Sequence, residues 1–441
     1  MHQRNFTAII QGVGSTSRWQ AVEDGGRGID GDYQEDKSMD RRDFLRGSVA
    51  ALAAVPAALP FQDEKSKLKI TGVRLVRTQR AKPREPYTLP PGSHMDMGGG
   101  GATPMSVYPE YARKGGRTGI SDFTVEISTD KGVKGYGSGG PGGGPIVTGH
   151  LTGLLLGEDP FNVERLWDIM WRSTMSYDRM GVAMHAISGV DLALWDLIGN
   201  ATGLPVYKLL GGSVRSRVPC YATGNDVEVY AKMGFKRIKN GFPLPPAAGR
   251  EGMRKNVELI KRTREVLGPD GEIMLDCWMG LNENYTLELV QMLAPYRLYW
   301  IEEPLPEHDY AGLARLRAKL NPVLVTAGEH EYGRQGFRQL LEHNSVNIWQ
   351  PDVHWGAGGM TELRRIAALA SVYDIPVLPH GGGARDSIHF TIATTNSPMA
   401  EMYMPVPTNQ YLEENQITQG PEGVYTSVSE KPGFGWDFIV E

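Results

Sequence analysis

Five short apolar runs between positions 273 and 380 constrain the fold of this chain more than any other feature of its sequence. Each run is bounded by turn residues, which is typical of a buried parallel strand. Segments with the hydrophobic period of a helix separate the runs, and the strand ends recur about every 22 to 28 residues, the repeat of consecutive β/α units in a (β/α)8-type barrel. The runs end, in chain order, in Asp276, Glu302, Glu329, Asp352 and His380.

In such a barrel the carboxyl ends of all strands lie on one face, so residues that are far apart in sequence become neighbours around one pocket. We therefore expect the acidic side chains and the histidine to meet there. Further strands are predicted at Val218–Ala222, Lys236–Lys239 and Met399–Met404. The period of two in the second of these places Arg237 and Lys239 on one face, from which both could reach the pocket.

The length and charge of the chain limit its class. With 441 residues it can hold a barrel of roughly 200 to 250 residues and a second domain. A net charge of −5, with both signs interspersed, gives no electrostatic reason to expect nucleic acid or an acidic membrane surface as a partner. Cys220 and Cys277 lie in or beside predicted strands, which favours buried thiols over a disulfide or a metal pair.

We interpret the first 65 residues as a leader rather than as part of a globular domain. Residues 1–38 show no sustained period, so we expect them to be disordered if they are translated, and we expect Met39 to be the true start. In residues 39–65 a paired arginine, Arg41 and Arg42, precedes a short apolar stretch and resembles a twin-arginine export signal. That stretch is too short and too broken by prolines for a membrane span. If residues 39–65 are such a signal, we expect the protein to be exported to the periplasm or cell envelope. If they are not, we expect it to be cytoplasmic.

An α+β domain distinct from the barrel is predicted over residues 66–212, and the barrel itself over residues 213–404. The first part shows alternating strands, two of them joined by a hairpin turn at Asp130-Lys131-Gly132, and then helical stretches. The tail, residues 405–441, is punctuated by Pro and Gly and is expected to complete the α+β domain by packing back on it.

Asp276, Glu302 and Glu329 offer hard oxygen ligands from three successive strand ends. This donor set suits Mg²⁺ better than Zn²⁺, because no cysteine or histidine is clustered among the three. A single acid in such a place is more often a solvated loop residue, whereas three in register favour a metal site. Glu303 is expected to point away from Glu302, by strand alternation, and to have a structural part.

His380 lies one barrel repeat beyond Asp352. A carboxylate on the neighbouring strand would fix the tautomer of the imidazole and raise its basicity, as a general base requires. The alternative is a histidine with a purely structural role. Glu401 could donate a hydrogen bond to a developing oxyanion if it is protonated, or pair with Arg237 or Arg385.

Taken together, these motifs strongly resemble the mandelate racemase/muconate lactonizing enzyme branch of the enolase superfamily, and within it the L-rhamnonate dehydratases. The likeness extends from about Leu68 to Gly435. Its barrel motifs are Asp276–Met279, Trp300–Leu305, Thr326–Glu331, Gln350–Val353 and Pro379–Gly381.

The resemblance implies an α/β fold: a modified (β/α)7β TIM-type barrel with an α+β N-terminal capping domain. It implies Mg²⁺ at Asp276, Glu302 and Glu329 and a sugar acid (aldonate) as substrate. His380, oriented by Asp352, would take the α-proton beside a metal-bound carboxylate to form an enediolate. It would then return the proton to the departing 3-hydroxyl, which gives a 2-keto-3-deoxy sugar acid.

The resemblance is weakest at the substrate contacts. His94 and an arginine near Arg113 or Arg117 are assigned to substrate binding, together with Arg237. The family also often forms symmetric homo-oligomers, which we expect of this chain.

Two other functions remain open. A racemase or epimerase of the same superfamily would use Lys239 and His380 as bases on opposite faces of the enediolate, which requires a depressed pKa for Lys239. An exported sugar-acid binding protein would have kept the fold without catalysis. A binder does not need a base aligned with a metal site, so the set of acids with His380 favours an enzyme.

Overall fold

The computed structural model describes residues 67–80, 88, 101–108, 111, 120–241, 243–403, 413 and 415–441. All of them belong to one compact unit, Glu64–Glu441. The predicted leader, residues 1–38 and 39–65, lies outside the described residues.

The first described domain has a three-stranded antiparallel sheet. Its strands are β1 (Ile70–Val76), β3 (Phe123–Thr129) and β4 (Lys134–Gly139), in the order β1-β3-β4, and a short strand β2 (Thr78–Arg80) follows β1. Gly132 takes the left-handed φ of +77° in the turn between β3 and β4, a conformation that glycine adopts without steric cost.

Three short helical turns, at Gly144–Ile146, Val147–Leu151 and Thr152–Leu155, are followed by two long helices, α1 (Val163–Thr174) and α2 (Val182–Thr202). Of these, α2 covers the sheet and α1 packs on α2. Glycines in β4 let α2 come close: a Cβ on Gly137 would lie 2.3 Å from the backbone N of Ala193. By length and composition, α2 is the one helix in the described part of the chain that could cross a membrane. However, 89% of its apolar window is buried inside the protein, as in a core helix.

The second domain is a barrel. A barrel of this kind has eight strand positions. The strands at the first six positions pair in parallel and in sequence order, and the strand at the eighth position pairs with the first and closes the ring. At the seventh position the chain makes only isolated bridges, Trp349 to Val377 and Asp352 to His380. The strands are β5 (Val218–Thr223), β6 (Arg237–Gly241), β7 (Glu272–Asp276), β8 (Leu298–Glu302), β9 (Leu324–Ala327), β10 (Ile348–Trp349) and β11 (Ala400–Tyr403).

Helices alternate with these strands, as in a parallel barrel. Two of them begin at side chains that accept from the first turn, Asn282 from the Tyr285 N–H and Asp309 from the Gly312 N–H. In chain order, the helices after α2 are α3 (Val206–Leu209), α4 (Val227–Lys232), α5 (Gly249–Leu267), α6 (Glu283–Leu293), α7 (Tyr310–Leu320), α8 (Gly333–Glu342), α9 (Gly359–Ser371) and α10 (Arg385–Ala393). The predicted fold class, a modified barrel with an α+β cap, is confirmed.

The C-terminal segment contacts both domains. It contains β12 (Thr418–Gly420), β13 (Gly423–Thr426) and β14 (Phe438–Val440). β13 runs antiparallel to the barrel strand β5, whereas β14 runs antiparallel to β2 of the first domain. Both cysteines, Cys220 and Cys277, are buried free thiols, as predicted.

Candidate active site and metal centre

The predicted site residues gather at the carboxyl end of the barrel. Asp276 and Glu302 are the last residues of β7 and β8 and are direct partners in the parallel register. Glu329 follows β9 by two residues, and Asp352 and His380 pair across the sixth and seventh positions. The barrel topology thus brings together side chains that are up to about a hundred residues apart in the chain.

Lys239 is at the centre of the acidic side chains. Its ammonium lies 2.6 Å from Glu302 Oε1, 2.9 Å from Glu401 Oε1 and 3.4 Å from Asp276 Oδ2, and its side chain is only 1% exposed. Burial acts to lower the pKa of Lys239, but the three carboxylates raise it well above its usual value. This is the reverse of what the racemase alternative requires of Lys239 as a base.

Negative charge is crowded in this part of the barrel. Burial raises the pKa of Glu302 to about 8 and that of Glu329 to about 7. Burial and the carboxylates of Glu303 and Glu401 also raise the pKa of Asp276, although Lys239 acts against them. Buried acids whose ionisation is this unfavourable, and whose donors are all oxygens, fit a hard divalent cation.

The carboxylate of Glu302 is already hydrogen-bonded to other buried side chains of the barrel. Glu302 accepts hydrogen bonds from Lys239, from Trp300 Nε1 at 3.2 Å and from Gln350 Nε2 at 2.6 Å. Among the described residues, the three potential ligands with donor atoms within 4.8 Å of one another are Glu303, Glu329 and His330. The trio Asp276, Glu302 and Glu329 therefore stays a prediction, supported by its register and charge.

His380 faces this acidic group. Its Nδ1 lies 2.6 Å from Asp352 Oδ2, and its Nε2 lies 3.3 Å from Glu329 Oε1. Burial lowers the pKa of His380, but Glu329 and Asp352 together raise it well above its usual value. With Nδ1–H donating to Asp352, Nε2 is the nitrogen left to exchange a proton with a molecule beside Glu329.

Glu303 and His330 form a second imidazole–carboxylate pair beside the first. His330 Nδ1 lies 2.9 Å from Glu303 Oε2. Burial acts to lower the pKa of His330, but the carboxylates of Glu303 and Glu329 outweigh it and raise that pKa to about 9. The prediction that Glu303 points away from the site is wrong. Its φ is +40°, so the alternation of an extended strand ends at Glu302.

Glu401 differs from both of its predicted roles. It pairs with Lys239 rather than with Arg237 or Arg385, and its other oxygen accepts from the Gly381 N–H at 2.9 Å. Burial acts to raise its pKa, but Lys239 and His380 lower the pKa to about 2. These contacts favour an ionised carboxylate at Glu401 over a proton donor.

Aromatic rings border the two imidazoles. Trp355 has its ring centroid 5.4 Å from that of His380 and 5.8 Å from that of His330, and Trp278 lies 6.0 Å from His330. His185 of the capping helix α2 lies 6.3 Å from Trp355. Such walls exclude water, which strengthens electrostatic interactions within a site.

One predicted substrate contact that the structure describes, Arg237, does not join this group. Arg237 is the first residue of β6 and bonds to Glu272, the first residue of β7, at 2.6 Å. It therefore lies at the amino-terminal end of its strand, and the prediction that it reaches the pocket is wrong, because two residues along a strand move a side chain about 6.6 Å. His94 and Arg117 lie outside the described residues.

Sequence reasoning missed several side chains of the site. Gln350 comes directly after β10, and His354 and Trp355 lie in the turn after Asp352. None of these three residue types indicates a site by itself. The adjacency of His330 to Glu329 was visible but ambiguous, because neither its direction nor its partner Glu303 could be derived from the period of a strand.

The comparisons with known proteins agree with this architecture. Residues 223–440 match the family described as enolase C-terminal domain-like. Residues 114–211 match the N-terminal domain of the mandelate racemase/muconate lactonizing enzyme family.

Individual relatives cover most of the chain. The L-rhamnonate dehydratase of Saccharopolyspora erythraea is 40% identical over 348 residues, which is 76% of this chain and 88% of that protein. Rhamnonate dehydratase from Gibberella zeae, solved in complex with Mg, is 36% identical with a TM-score of 0.75, over 86% of this chain and 95% of that one. The 3,6-anhydro-D-galactonate cycloisomerase of Zobellia galactanivorans is 27% identical with a TM-score of 0.65, over 85% of this chain and 97% of that one.

Both domains thus match one family, and the barrel carries the strand-end acids and the histidine in the order that the sequence predicts. This chain belongs to the enolase superfamily, in its mandelate racemase/muconate lactonizing enzyme branch.

Proposed function

We propose that this protein is a Mg²⁺-dependent sugar-acid dehydratase that acts on L-rhamnonate or a closely similar aldonate and is therefore a carbon-oxygen lyase. The observation that carries the proposal is His380, which has Asp352 at 2.6 Å on one ring nitrogen and Glu329 at 3.3 Å on the other. The relatives named L-rhamnonate dehydratase support the substrate class.

Asp276, Glu302 and Glu329 would hold the Mg²⁺. When bound, the ion would supply positive charge that stabilises negative charge developing on the carboxylate of the sugar acid. Lys239 would remain the fixed cation that favours the ionised forms of Asp276, Glu302 and Glu401, since its ammonium contacts all three.

The chemistry is carried by one imidazole. With the charge of Glu329 offset by the Mg²⁺ that it would hold, Nε2 of His380 would be unprotonated and would take the proton from C2. The electron pair of that C–H bond forms the C2–C3 double bond as the C3–O bond breaks. The same imidazole returns the proton to the departing hydroxyl, so that water leaves. The remaining enol tautomerises to the 2-keto-3-deoxy acid. Asp352 holds the ring in the tautomer that both transfers need.

A panel of aldonates tests the proposal. Purified protein is incubated with each acid and Mg²⁺, and the α-keto product is measured. We expect turnover with L-rhamnonate and loss of turnover on chelation of the metal. Exchange of the C2 proton with solvent deuterium without loss of water would instead support a racemase or epimerase.

His380→Asn tests the role of the base. We expect kcat to fall by at least about 10²- to 10⁴-fold, because a positioned general base contributes about that much. Mg²⁺ affinity, measured by calorimetry, should stay close to that of the wild type, because His380 is not among the proposed ligands. Retained dehydration in this variant would contradict the assignment.

Two properties of the whole protein are proposed from the sequence and family alone. Export by the twin-arginine route predicts that N-terminal sequencing of the native protein finds a start after residue 39 and that a double Lys replacement of Arg41 and Arg42 leaves it in the cytoplasm. Assembly into a symmetric homo-oligomer predicts a mass above 48.5 kDa by light scattering.

A further inference from the structure

His354 lies two residues after Asp352, in the turn that follows β10. The carboxylate of Asp352 is held on both sides. One oxygen, Oδ2, bonds His380, whereas Oδ1 accepts from the His354 N–H at 2.7 Å and from the Trp355 N–H at 3.0 Å. The His354 ring stands beside the same Oδ1, with its Nδ1 at 3.7 Å, which is an ion-pair distance rather than a hydrogen bond.

The other ring nitrogen of His354 has a buried partner. Its Nε2 lies 2.8 Å from Asp386 Oδ2, and the Asp386 side chain, in the first turn of α10, is 0% exposed. Asp386 Oδ1 accepts from the adjacent Ser387 N–H. A buried carboxylate is costly without a counter-charge, and His354 is the side chain that supplies it.

Carboxylate and imidazole groups therefore alternate along the row Asp386, His354, Asp352 and His380. Burial acts to lower the pKa of His354, but Asp386 outweighs it and, with Asp352 and Asp122, raises that pKa to about 9, so the ring is cationic at neutral pH. The turn is also attached to the capping domain. The Gly140 N–H donates to the His354 carbonyl at 2.9 Å, and Ser188 Oγ donates to the Trp355 carbonyl at 2.8 Å.

We infer that His354, held by Asp386, is a positioning residue for the proposed dehydration. It holds Asp352 at Oδ1, the oxygen that does not contact His380, and thereby sets the orientation of the His380 ring. This rests on the proposed function only for its effect on turnover, because the hydrogen bond from His380 to Asp352 can be observed without substrate. His354 touches neither the proposed metal ligands nor the reacting nitrogen.

His354→Gln and Asp386→Asn remove the charges from the row and keep groups of similar shape. In each variant we expect kcat to fall about 10- to 100-fold with KM within about threefold, because small misplacements of a catalytic group have effects of this size. The primary isotope effect with C2-deuterated substrate should rise, since proton abstraction becomes more nearly rate-limiting. The double variant should lose little more than either single variant, because both act through one contact.

A proton NMR measurement separates this inference from the proposed function. The proton that His380 Nδ1 donates to Asp352 should give a far-downfield resonance in the wild type, and this resonance should move or broaden in both variants. His343→Gln, at the exposed end of α8, is the matched control and should change neither the resonance nor the kinetics.

If the wild type dehydrates no aldonate but the resonance still responds, the proposed function is wrong and the positioning role stands. If either variant folds and shows the wild-type resonance and isotope effect, or loses only thermal stability, the positioning role is wrong. Two variants on different elements guard against the failure of one of them to fold.

Discussion

At the scale of single residues, Lys239 is the buried charge on which the acidic site depends. Its ammonium contacts three carboxylates that are themselves buried. Removing one partner from a buried ion pair leaves an uncompensated charge and costs about 3 to 5 kcal/mol. We expect Lys239→Met to lower the free energy of unfolding by about this much, as measured by urea denaturation in the absence of divalent ions.

Added Mg²⁺ should restore part of that loss, because it binds the same carboxylates only in the folded state. Lys255→Met, at a surface pair with Glu251 on α5, is the control and should unfold like the wild type with and without the ion. An equal loss in Lys239→Met at all Mg²⁺ concentrations would count against a metal at these acids.

At the scale of elements, the loop after β7 shows how the capping domain is placed over the site. Hydrogen bonding to the chain after β8 continues past Asp276, with the Met279 N–H donating to the Glu303 carbonyl at 2.7 Å. Gly280, in the same loop, lies against the backbone of the capping segment: an added Cβ would be 2.4 Å from the Thr103 N and 2.5 Å from the Ala102 carbonyl carbon.

Gly280→Ala should therefore push segment 101–108 away from the loop that follows Asp276. We expect a loss of about 1 to 3 kcal/mol in the free energy of unfolding, as for other overpacked sites, and a lower kcat/KM for the aldonate. Gly153→Ala is the matched control: it sits in a helical turn with nothing within 4 Å of the added Cβ, so it should be neutral or slightly stabilising. Equal behaviour of the two variants would contradict this account of the contact.

At the scale of the whole molecule, buried polar groups join the capping domain to the barrel. Asp191 of α2 accepts from the Thr361 N–H at 2.9 Å and from Thr361 Oγ1 at 2.6 Å, at the start of α9. Burial raises the pKa of Asp191 from 3.8 to about 7. Between these two pH values the folded protein holds a proton that the unfolded chain has released, so this contribution to stability is complete below about pH 4 and is lost as the pH rises to 7.

Asp191→Asn cannot ionise and should remove this dependence. The slope of the unfolding free energy against pH, between pH 4 and 7, should become less negative by up to about 1.4 kcal/mol per pH unit. Asp168→Asn, at a surface pair with Arg172 on α1, should leave the slope unchanged. Denaturation at several pH values measures both, and an unaltered slope in Asp191→Asn would show that the carboxyl is already ionised at acidic pH.

The strand-end residues show what period and spacing could predict. Short apolar runs, each closed by an acid or a histidine at barrel spacing, were enough to place Asp276, Glu302, Glu329 and His380 on one end of a barrel, because parallel strands point the same way. That argument works for the end of a strand and fails beyond it. Glu303 turns toward the site because its backbone is left-handed, and Arg237 is at the wrong end of a strand whose first residue was placed too early.

Hydrophobic period, turn residues and repeat length are local properties of the chain, and they were sufficient to predict an α/β barrel, a separate α+β domain and the residue types at each strand end. The contact partners of these side chains became visible in the folded protein. Lys239 meets three acids, His354 meets Asp386, and Glu401 is an ion-paired carboxylate. These contacts form across strands, and which charges share a buried space depends on register and backbone direction in three dimensions, which no spacing along the chain encodes.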